Sequence, residues 1–226
     1  EFRRVLFRSG DASSVLARWQ ATPRWTSDGA DPVRRLVSSG TGPLEEAVRQ
    51  GWSAWHARLT AVLDSGRGCD DAEAAALLDD FARFQLLCAL REGPEGLVSL
   101  NTRIEKALGF TARDRWYAGR PVMVTRNDYA LRRMNGDIGL CLPRPDGSLR
   151  VAFRDADGAL RWVLPSRLED VETVFAMTVH KSQGSEWNNL LLVLPSQSSP
   201  VLTRELDRKS TRLNSSHIPL SRMPSS

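Results

Sequence analysis

Apolar residues recur at helical spacing in the first half of this chain. From Pro43 onward they stand three or four positions apart and predict an amphipathic helix that ends near residues 64–68: Leu44, Val48, Trp52, Trp55, Leu59 and Leu63. A second helix follows Asp70 or Asp71, either of which can cap its first turn. Its inward-facing positions are Leu77, Leu78, Phe81 and Phe84. Both tryptophans lie on the apolar stripe, so we expect them in the core rather than on a base-stacking surface.

A short apolar run at residues 85–90 indicates a buried strand, which the turn Glu92-Gly93-Pro94 closes. A third helix is predicted after this turn, with Gly109 as its C-terminal stop. Its inward-facing positions are Leu97, Leu100, Ile104 and Leu108. Strand, turn and helix in this order form the repeating unit of α/β domains, so this region predicts an α/β fold.

The hydrophobic period changes to two in the next part of the chain. Three hairpin-type dipeptides follow one another at a spacing of eleven residues: Asn135-Gly136, Asp146-Gly147 and Asp157-Gly158. The alternation between them predicts a β-meander, which with residues 121–126 has about four short antiparallel strands. We expect positive φ at both Asn135 and Gly136. Buried strands return at residues 174–179 and 190–194, which predicts a small β module inserted within an α/β domain.

Composition adds little to this picture. The chain has 226 residues, 41% of them apolar, which suffices for one or two domains with their own cores. The net charge of +4 arises at residues 1–9 and 207–226, and we interpret both ends as foreign read-through sequence rather than as basic nucleic-acid tails. Three scattered cysteines give no zinc spacing and indicate free thiols in the cytoplasm. No apolar run of about 18 residues is present, so we expect no membrane partner.

The polar segment between the last two strands carries the most chemistry. Residues 178–187 hold a cation, an imidazole, an amide and a carboxylate between two buried strands. In an α/β sheet such a loop lies at the carboxyl end of its strand, where ligands bind. The string Thr178-Val179-His180-Lys181-Ser182-Gln183-Gly184-Ser185-Glu186 resembles motif V of superfamily 1 helicases. Its Ser-Gln-Gly-Ser-Glu form resembles the RecD subunits of bacterial exonuclease V.

Two further blocks occur in the order of that family. Residues 84–94, followed by Leu100-Asn101, look like the motif IV region. The strings at 119–123, 126–129 and 135–139 look like the start of its inserted barrel. The resemblance runs over residues 80–206, and more loosely from residue 42. It implies an α/β fold, namely a RecA-like second motor domain with an inserted small antiparallel SH3-like β-barrel.

This resemblance divides the chain into five parts. They are foreign-looking residues 1–9, a helical segment with the first part of the motor domain at 10–118, the inserted barrel at 119–168, the rest of the motor domain at 169–206, and a foreign-looking disordered tail at 207–226.

The resemblance also implies roles for individual residues. Arg91 is the catalytic candidate, since a guanidinium stabilises charge on a γ-phosphate; an arginine paired with a surface carboxylate is the alternative. Nucleotide-binding candidates are Gln183, Gly184, Ser185 and Glu186. DNA-binding candidates are Thr178, His180, Arg126 and Asn127. His180 as a structural imidazole, and turn roles for residues 126–128, remain open, and we favour the turn for Asp128. No metal ligands are expected.

The chain lacks a P-loop, because none of its three lysines follows a glycine, and the string after Leu206 does not match motif VI. We therefore expect an inactive C-terminal fragment of an ATP-dependent 5′–3′ DNA helicase subunit of exonuclease V, which serves recombinational repair of double-strand breaks. The parent would use ATP and Mg²⁺, and its partners would be DNA ends, single-stranded DNA and the two other subunits. A stand-alone RecD-like helicase is the first alternative. A non-enzymatic nucleic-acid-binding barrel is the second, with candidate residues Arg150, Arg154, Arg161 and Trp162, although Trp162 shares a face with core leucines.

Overall fold

A computed structural model describes residues 42–110, 114–182, 185 and 187–193. The described helices are α1 (Gly42–Gly51), α2 (Ser53–Ser65), α3 (Asp71–Ala82) and α4 (Leu97–Ala107). The described strands are β1 (Phe84–Cys88), β2 (Pro121–Val124), β3 (Ile138–Pro143), β4 (Leu149–Arg154), β5 (Leu160–Val163), β6 (Val171–Thr173), β7 (Ala176–Thr178) and β8 (Asn189–Val193). The two foreign-looking ends of the chain lie outside these residues.

The first amphipathic stripe runs through two helices, α1 and α2, rather than one. At the end of α1, a Cβ added to Gly51 would lie 2.6 Å from the Phe84 ring, so glycine lets the helix approach strand β1 closely. Trp52 and Trp55 are fully buried, and both rings contact Phe81 and other aromatic residues. The prediction that the tryptophans form core is confirmed.

The ends of the next elements follow from local chemistry. Asp70 caps α3 with a capping box, because its side chain accepts from the Glu73 N–H at 2.8 Å and Glu73 accepts from the Asp70 N–H at 3.2 Å. Phe84, expected on this helix, is instead the first residue of β1. Leu63, expected inside, is exposed, since Val62 takes the buried position in the last turn of α2.

Three strands form a parallel sheet in the order β7-β1-β8. The central strand β1 is buried along its whole length, as expected of a strand that is covered on both faces. It pairs with β7 through Leu86↔Ala176 and Cys88↔Thr178, and with β8 on its other side. The carboxyl ends of β1 and β7 therefore lie at the same edge of the sheet.

Five strands form an antiparallel sheet in the order β5-β4-β3-β2-β6, one strand more than expected. The Asp146-Gly147 and Asp157-Gly158 turns connect β3 to β4 and β4 to β5 as predicted. Asn135-Gly136 instead ends a long β2–β3 connection. The expectation of positive φ at Asn135 is wrong: Arg132 is the one described non-glycine residue with positive φ, and Gly136 alone carries the left-handed turn at φ 99°.

The two sheets share a core. Leu140, Leu142 and Ala152 of the antiparallel sheet lie in the same buried cluster as the tryptophans of the helices. The opposite face of that sheet has its own cluster, which includes Cys141 and Phe153. The antiparallel sheet is therefore covered on both faces over part of its area.

Polar contacts also join helix α3 to the antiparallel sheet. The Asp71 carboxylate accepts from the Trp162 indole N–H at 2.8 Å and from Arg144 at 2.9 Å, and both bonds lower the pKa of Asp71. The Arg144 guanidinium lies over the Trp162 ring, 4.3 Å from its centre. A few residues further along α3, Asp79 accepts from Arg154 at 2.8 Å.

All three cysteines are buried free thiols, as predicted. Burial raises the pKa of Cys69 and Cys88 to about 11 and that of Cys141 to about 12, so these thiols are unreactive at neutral pH. Within the described residues, no helix is both long enough and apolar enough to cross a membrane.

Candidate functional site

The candidate site lies at the carboxyl edge of the parallel sheet. Strand β7 ends at Thr178, and His180 and Lys181 follow in the turn after it. Arg91 follows β1, the neighbouring strand, by three residues. Because β1 and β7 run parallel and in register, the structure brings these four residues to one edge of the sheet. The sequence predicted this position for the polar segment after β7, but it did not predict that Arg91 lies beside that segment.

The turn after β7 is held by its own backbone. The Lys181 and Ser182 N–H groups donate to the Thr178 carbonyl at 2.9 and 3.2 Å, and the Val179 N–H donates to the Cys88 carbonyl of β1 at 3.1 Å. The buried Ser182 hydroxyl donates to the Val179 carbonyl at 2.8 Å. Ser182 is therefore a structural anchor that we did not single out in the sequence.

The side chains of this turn differ in exposure. Thr178 is mostly buried, whereas His180 is exposed and so is not an enclosed structural imidazole. Ser185 is partly exposed, and its N–H donates to the Ser182 carbonyl at 3.2 Å. The other nucleotide-binding candidates, Gln183, Gly184 and Glu186, lie outside the described residues.

The two cations at this edge share one carboxylate, Glu172 on strand β6. The Lys181 Nζ donates to Glu172 Oε1 at 2.9 Å, while the Arg91 Nη2 lies 3.8 Å from Glu172 Oε2. The pairing of Arg91 with a carboxylate is the alternative that the sequence left open for this residue. Glu172 has no motif around it that could have marked it beforehand, since it reaches this edge only through the pairing of β6 with β2.

Arg126 and Asn127 lie apart from this edge, on the connection between β2 and β3. They line a groove of about 940 Å³ between that connection and residues 167–171. The Asn127 Oδ1 accepts from the Asn135 N–H at 2.8 Å, and the Asp128 Oδ1 accepts from the Leu131 N–H at 2.9 Å. The Asp128 side chain thus stabilises the turn, as expected, and the Asn127 side chain does so too. Arg126 is exposed.

The buried Arg133 holds the β2–β3 connection against the hairpin between β4 and β5. It pairs with Asp137 at 3.4 Å and with Asp155, and its guanidinium lies 5.1 Å from the centre of the Phe153 ring. The hydrogen bond from Arg133, supported by one from Arg161, lowers the pKa of Asp155. Tyr129, which lies on this connection, is 77% exposed.

The residues expected on a basic and aromatic barrel face have partners inside the molecule. Arg154 pairs with Asp79 of α3, Arg161 pairs with Asp155, and Trp162 is half-buried with its indole N–H on Asp71. Trp162 is thus hydrogen-bonded to Asp71, and the Arg144 guanidinium lies over its ring.

No protein-family model matches the chain. Among curated proteins, it is 38% identical over 203 residues to the RecBCD enzyme subunit RecD of Mycolicibacterium smegmatis, with 88% of this chain and 33% of that protein covered. It is 47% identical over 205 residues to RecD of Mycobacterium tuberculosis, with 88% and 32% covered. It is also 32% identical over 200 residues to the ATP-dependent RecD2 DNA helicase of Deinococcus radiodurans, with 85% and 28% covered.

Among solved structures, the chain is similar to the Bacteroides Pif1 helicase in complex with ADP-AlF3 and ssDNA. The TM-score is 0.39 at 13% identity, and the match covers 80% of this chain and 49% of that one. The chain spans about a third of the length of the RecD proteins that it matches. By sequence, it is therefore a relative of RecD, the RecBCD enzyme subunit, and corresponds to one third of such a protein.

Proposed function

We propose that this chain is part of an ATP-dependent 5′–3′ DNA helicase, a cytoplasmic RecD-type subunit of exonuclease V that serves recombinational repair of double-strand breaks. It would form the C-terminal motor domain, of RecA-like fold. The observation that carries the proposal is the convergence of Arg91 with Thr178, His180 and Lys181 at one edge of a parallel sheet, in a chain similar to RecD. Such edges are the ligand-binding side of α/β sheets.

The proposed domain division has support in the strand order. Strand β1 of the parallel sheet precedes the antiparallel sheet in sequence, while β7 and β8 follow it. The first antiparallel strand, β2, pairs with the last, β6, so the chain enters and leaves this sheet side by side. An insertion requires that arrangement, and it suits an SH3-like barrel placed within a motor domain. Strand β6 extends the inserted part to Thr173.

We assign the residue roles on the same basis. Arg91 would contact the γ-phosphate of ATP, and residues 183–186 would contact the rest of the nucleotide. Thr178 and His180 would contact phosphates of a single DNA strand, with Arg126 and Asn127 as further DNA contacts. The exposed guanidinium of Arg91 suits a phosphate. We propose that ATP and Mg²⁺ are bound mainly by the first motor domain of the parent protein, as the resemblance to RecD implies.

The partners of this proposal come from the relatives. The RecD proteins are subunits of the RecBCD enzyme, and the Pif1 structure was solved with ssDNA. We therefore propose the two other subunits of such a complex, single-stranded DNA and DNA ends as partners. Because this chain has no P-loop, we expect it to hydrolyse no ATP alone.

The binding of a fluorescein-labelled single strand of twelve thymidines tests this proposal. We expect saturable binding by fluorescence anisotropy. We expect His180→Ala and Thr178→Val to weaken it about tenfold or more, because each removes one hydrogen bond to a charged group. Thr102→Val on α4 is the matched control. It should bind normally, since the Thr102 hydroxyl donates to the Val98 carbonyl of its own helix. Absence of saturable binding, or equal affinity in all variants, contradicts the assignment of this edge to DNA.

A stand-alone helicase is the second candidate, because the similarity to RecD2 extends over 85% of the chain. Co-purification of the complete protein from its own cells decides between the two. Recovery with two further subunits supports the RecBCD-type assignment, whereas recovery as a single active polypeptide supports the alternative.

A further inference from the structure

Glu172 stands between two cations that come from different strands of the parallel sheet. It lies on β6 of the antiparallel sheet, where it pairs with Met123 of β2. One carboxylate oxygen accepts from Lys181, which follows β7, and the other faces Arg91, which follows β1. A single carboxylate of one sheet thus contacts both cations at the edge of the other and offsets the charge of only one of them.

The two contacts are unequal. The Lys181–Glu172 contact is a hydrogen bond of 2.9 Å between side chains that are 28% and 26% exposed. Arg91 is 62% exposed, and at 3.8 Å it forms an ion pair without a hydrogen bond to Glu172. Water screens the second contact far more than the first. Another anion can therefore replace Glu172 as the partner of Arg91, while Lys181 keeps its hydrogen bond to Glu172.

We propose that Glu172 is a competing carboxylate that a phosphate group must displace from Arg91, and that it positions Lys181 throughout. The choice of phosphate as ligand rests on the proposed function. A guanidinium binds two phosphate oxygens at once, which the single distant oxygen of Glu172 does not offer. The phosphate of a nucleotide and that of a DNA strand share this chemistry. The affinity of this edge for phosphate is therefore lower with Glu172 present than it would be with Arg91 and Lys181 alone.

Glu172→Gln tests this inference, because it keeps the shape of the side chain and removes its charge. The probes are the labelled single strand of twelve thymidines, measured by anisotropy, and sodium triphosphate, measured by calorimetry. We expect the variant to bind at least one probe about two- to fivefold more tightly. For the DNA probe, each additional phosphate contact steepens the dependence of log K on log salt by about 0.7. A gain for one probe alone identifies the source of the phosphate.

Matched variants separate this effect from a general change of charge. Asp64→Asn on α2 makes the same change of net charge at a residue that, within the described part of the chain, forms no ion pair or hydrogen bond with Arg91 or Lys181, and it should leave both affinities unchanged. The double variant Glu172→Gln/Arg91→Gln should lose the gain, because Arg91 is the group released. Glu172→Thr, which suits a strand, answers the same question if the glutamine variant does not fold. Unchanged affinity for both probes in Glu172→Gln, or an equal gain in Asp64→Asn, overturns the inference.

The outcomes also separate this inference from the proposed function. If Glu172→Gln gains affinity for triphosphate while His180→Ala and Thr178→Val leave DNA binding unchanged, the inference stands and the assignment of this edge to DNA fails. If those two variants weaken DNA binding and Glu172→Gln changes nothing, the reverse holds.

Discussion

Gly139 on β3 is among the most constrained single positions of the molecule. A Cβ added there would lie 2.7 Å from the Phe153 ring and 2.8 Å from the Ala152 carbonyl oxygen of the neighbouring strand. We expect Gly139→Ala to lower the free energy of unfolding in urea by about 1–3 kcal/mol, because Phe153 is fully buried and the second obstructing atom belongs to the backbone. Gly42→Ala is the control, since nothing lies within 4 Å of its added Cβ. Equal losses in both variants contradict this explanation.

Asp155 makes the stability of the molecule depend on pH. Hydrogen bonds from Arg133 and Arg161 hold the pKa of Asp155 below its ordinary value of 3.8. Because the folded-state pKa is lower than that of the unfolded chain, the stabilisation is present above pH 3.8 and is lost as the pH falls through the folded-state pKa. We expect Asp155→Asn to be less stable by about 1–3 kcal/mol at pH 7, since it weakens the pairing of the buried Arg133.

Urea unfolding of Asp155→Asn and of the unchanged chain, measured from pH 7 downward, checks this expectation. The difference in the free energy of unfolding should stay constant down to about pH 4 and shrink below it. A difference that is the same at every pH would show that the charge of Asp155 does not cause the effect.

Individual side chains also show where sequence reasoning stops. The placement of Thr178 and His180 at the carboxyl end of a strand could be predicted, because ligand-binding loops of α/β sheets lie there. The position of Arg91 beside them could not, since it depends on the pairing of β1 with β7. Glu172 could not be predicted either, since it reaches that edge only through the pairing of β6 with β2, and its neighbours in sequence carry no motif. The need for a glycine at position 139 was hidden for the same reason, because the obstructing ring belongs to another strand.

At the level of elements, the start of helix α3 depends on one side chain. Asp70 accepts from the Glu73 N–H, a group that has no partner within the helix itself. We expect Asp70→Ala to lower the free energy of unfolding by about 1 kcal/mol in urea. Asp64→Ala, near the C-terminal end of α2, should be neutral or slightly stabilising, because a carboxylate is unfavourable there. A larger loss in Asp64→Ala than in Asp70→Ala contradicts the role of the cap.

Most elements could be predicted because their signals are local. The helical spacing of apolar residues indicated α3 and α4, and the Asp-Gly dipeptides indicated the β3–β4 and β4–β5 turns. The order of the strands could not be read in this way. The β2–β6 pair joins residues about fifty positions apart, and only the folded molecule shows that β6 is the last strand of the antiparallel sheet.

At the scale of the whole molecule, the shared core predicts that both sheets unfold together. Leu140, Leu142 and Ala152 lie in one cluster with the aromatic residues of the helices. We therefore expect one transition in urea, with coincident curves from far-ultraviolet circular dichroism and tryptophan fluorescence. Two separate transitions would show instead that the antiparallel sheet is an independent module.

The account depends most on the claim that the carboxyl edge of the parallel sheet receives a single DNA strand. The direct test is a two-dimensional amide NMR titration of the isotope-labelled chain with unlabelled single strands of twelve thymidines. We predict saturable shifts at residues 178–182 and 185, with Arg91 and Arg126 also affected, and little change in helices α1 and α2. Shifts confined to those helices, or an edge that stays unchanged at saturating DNA, would contradict the claim.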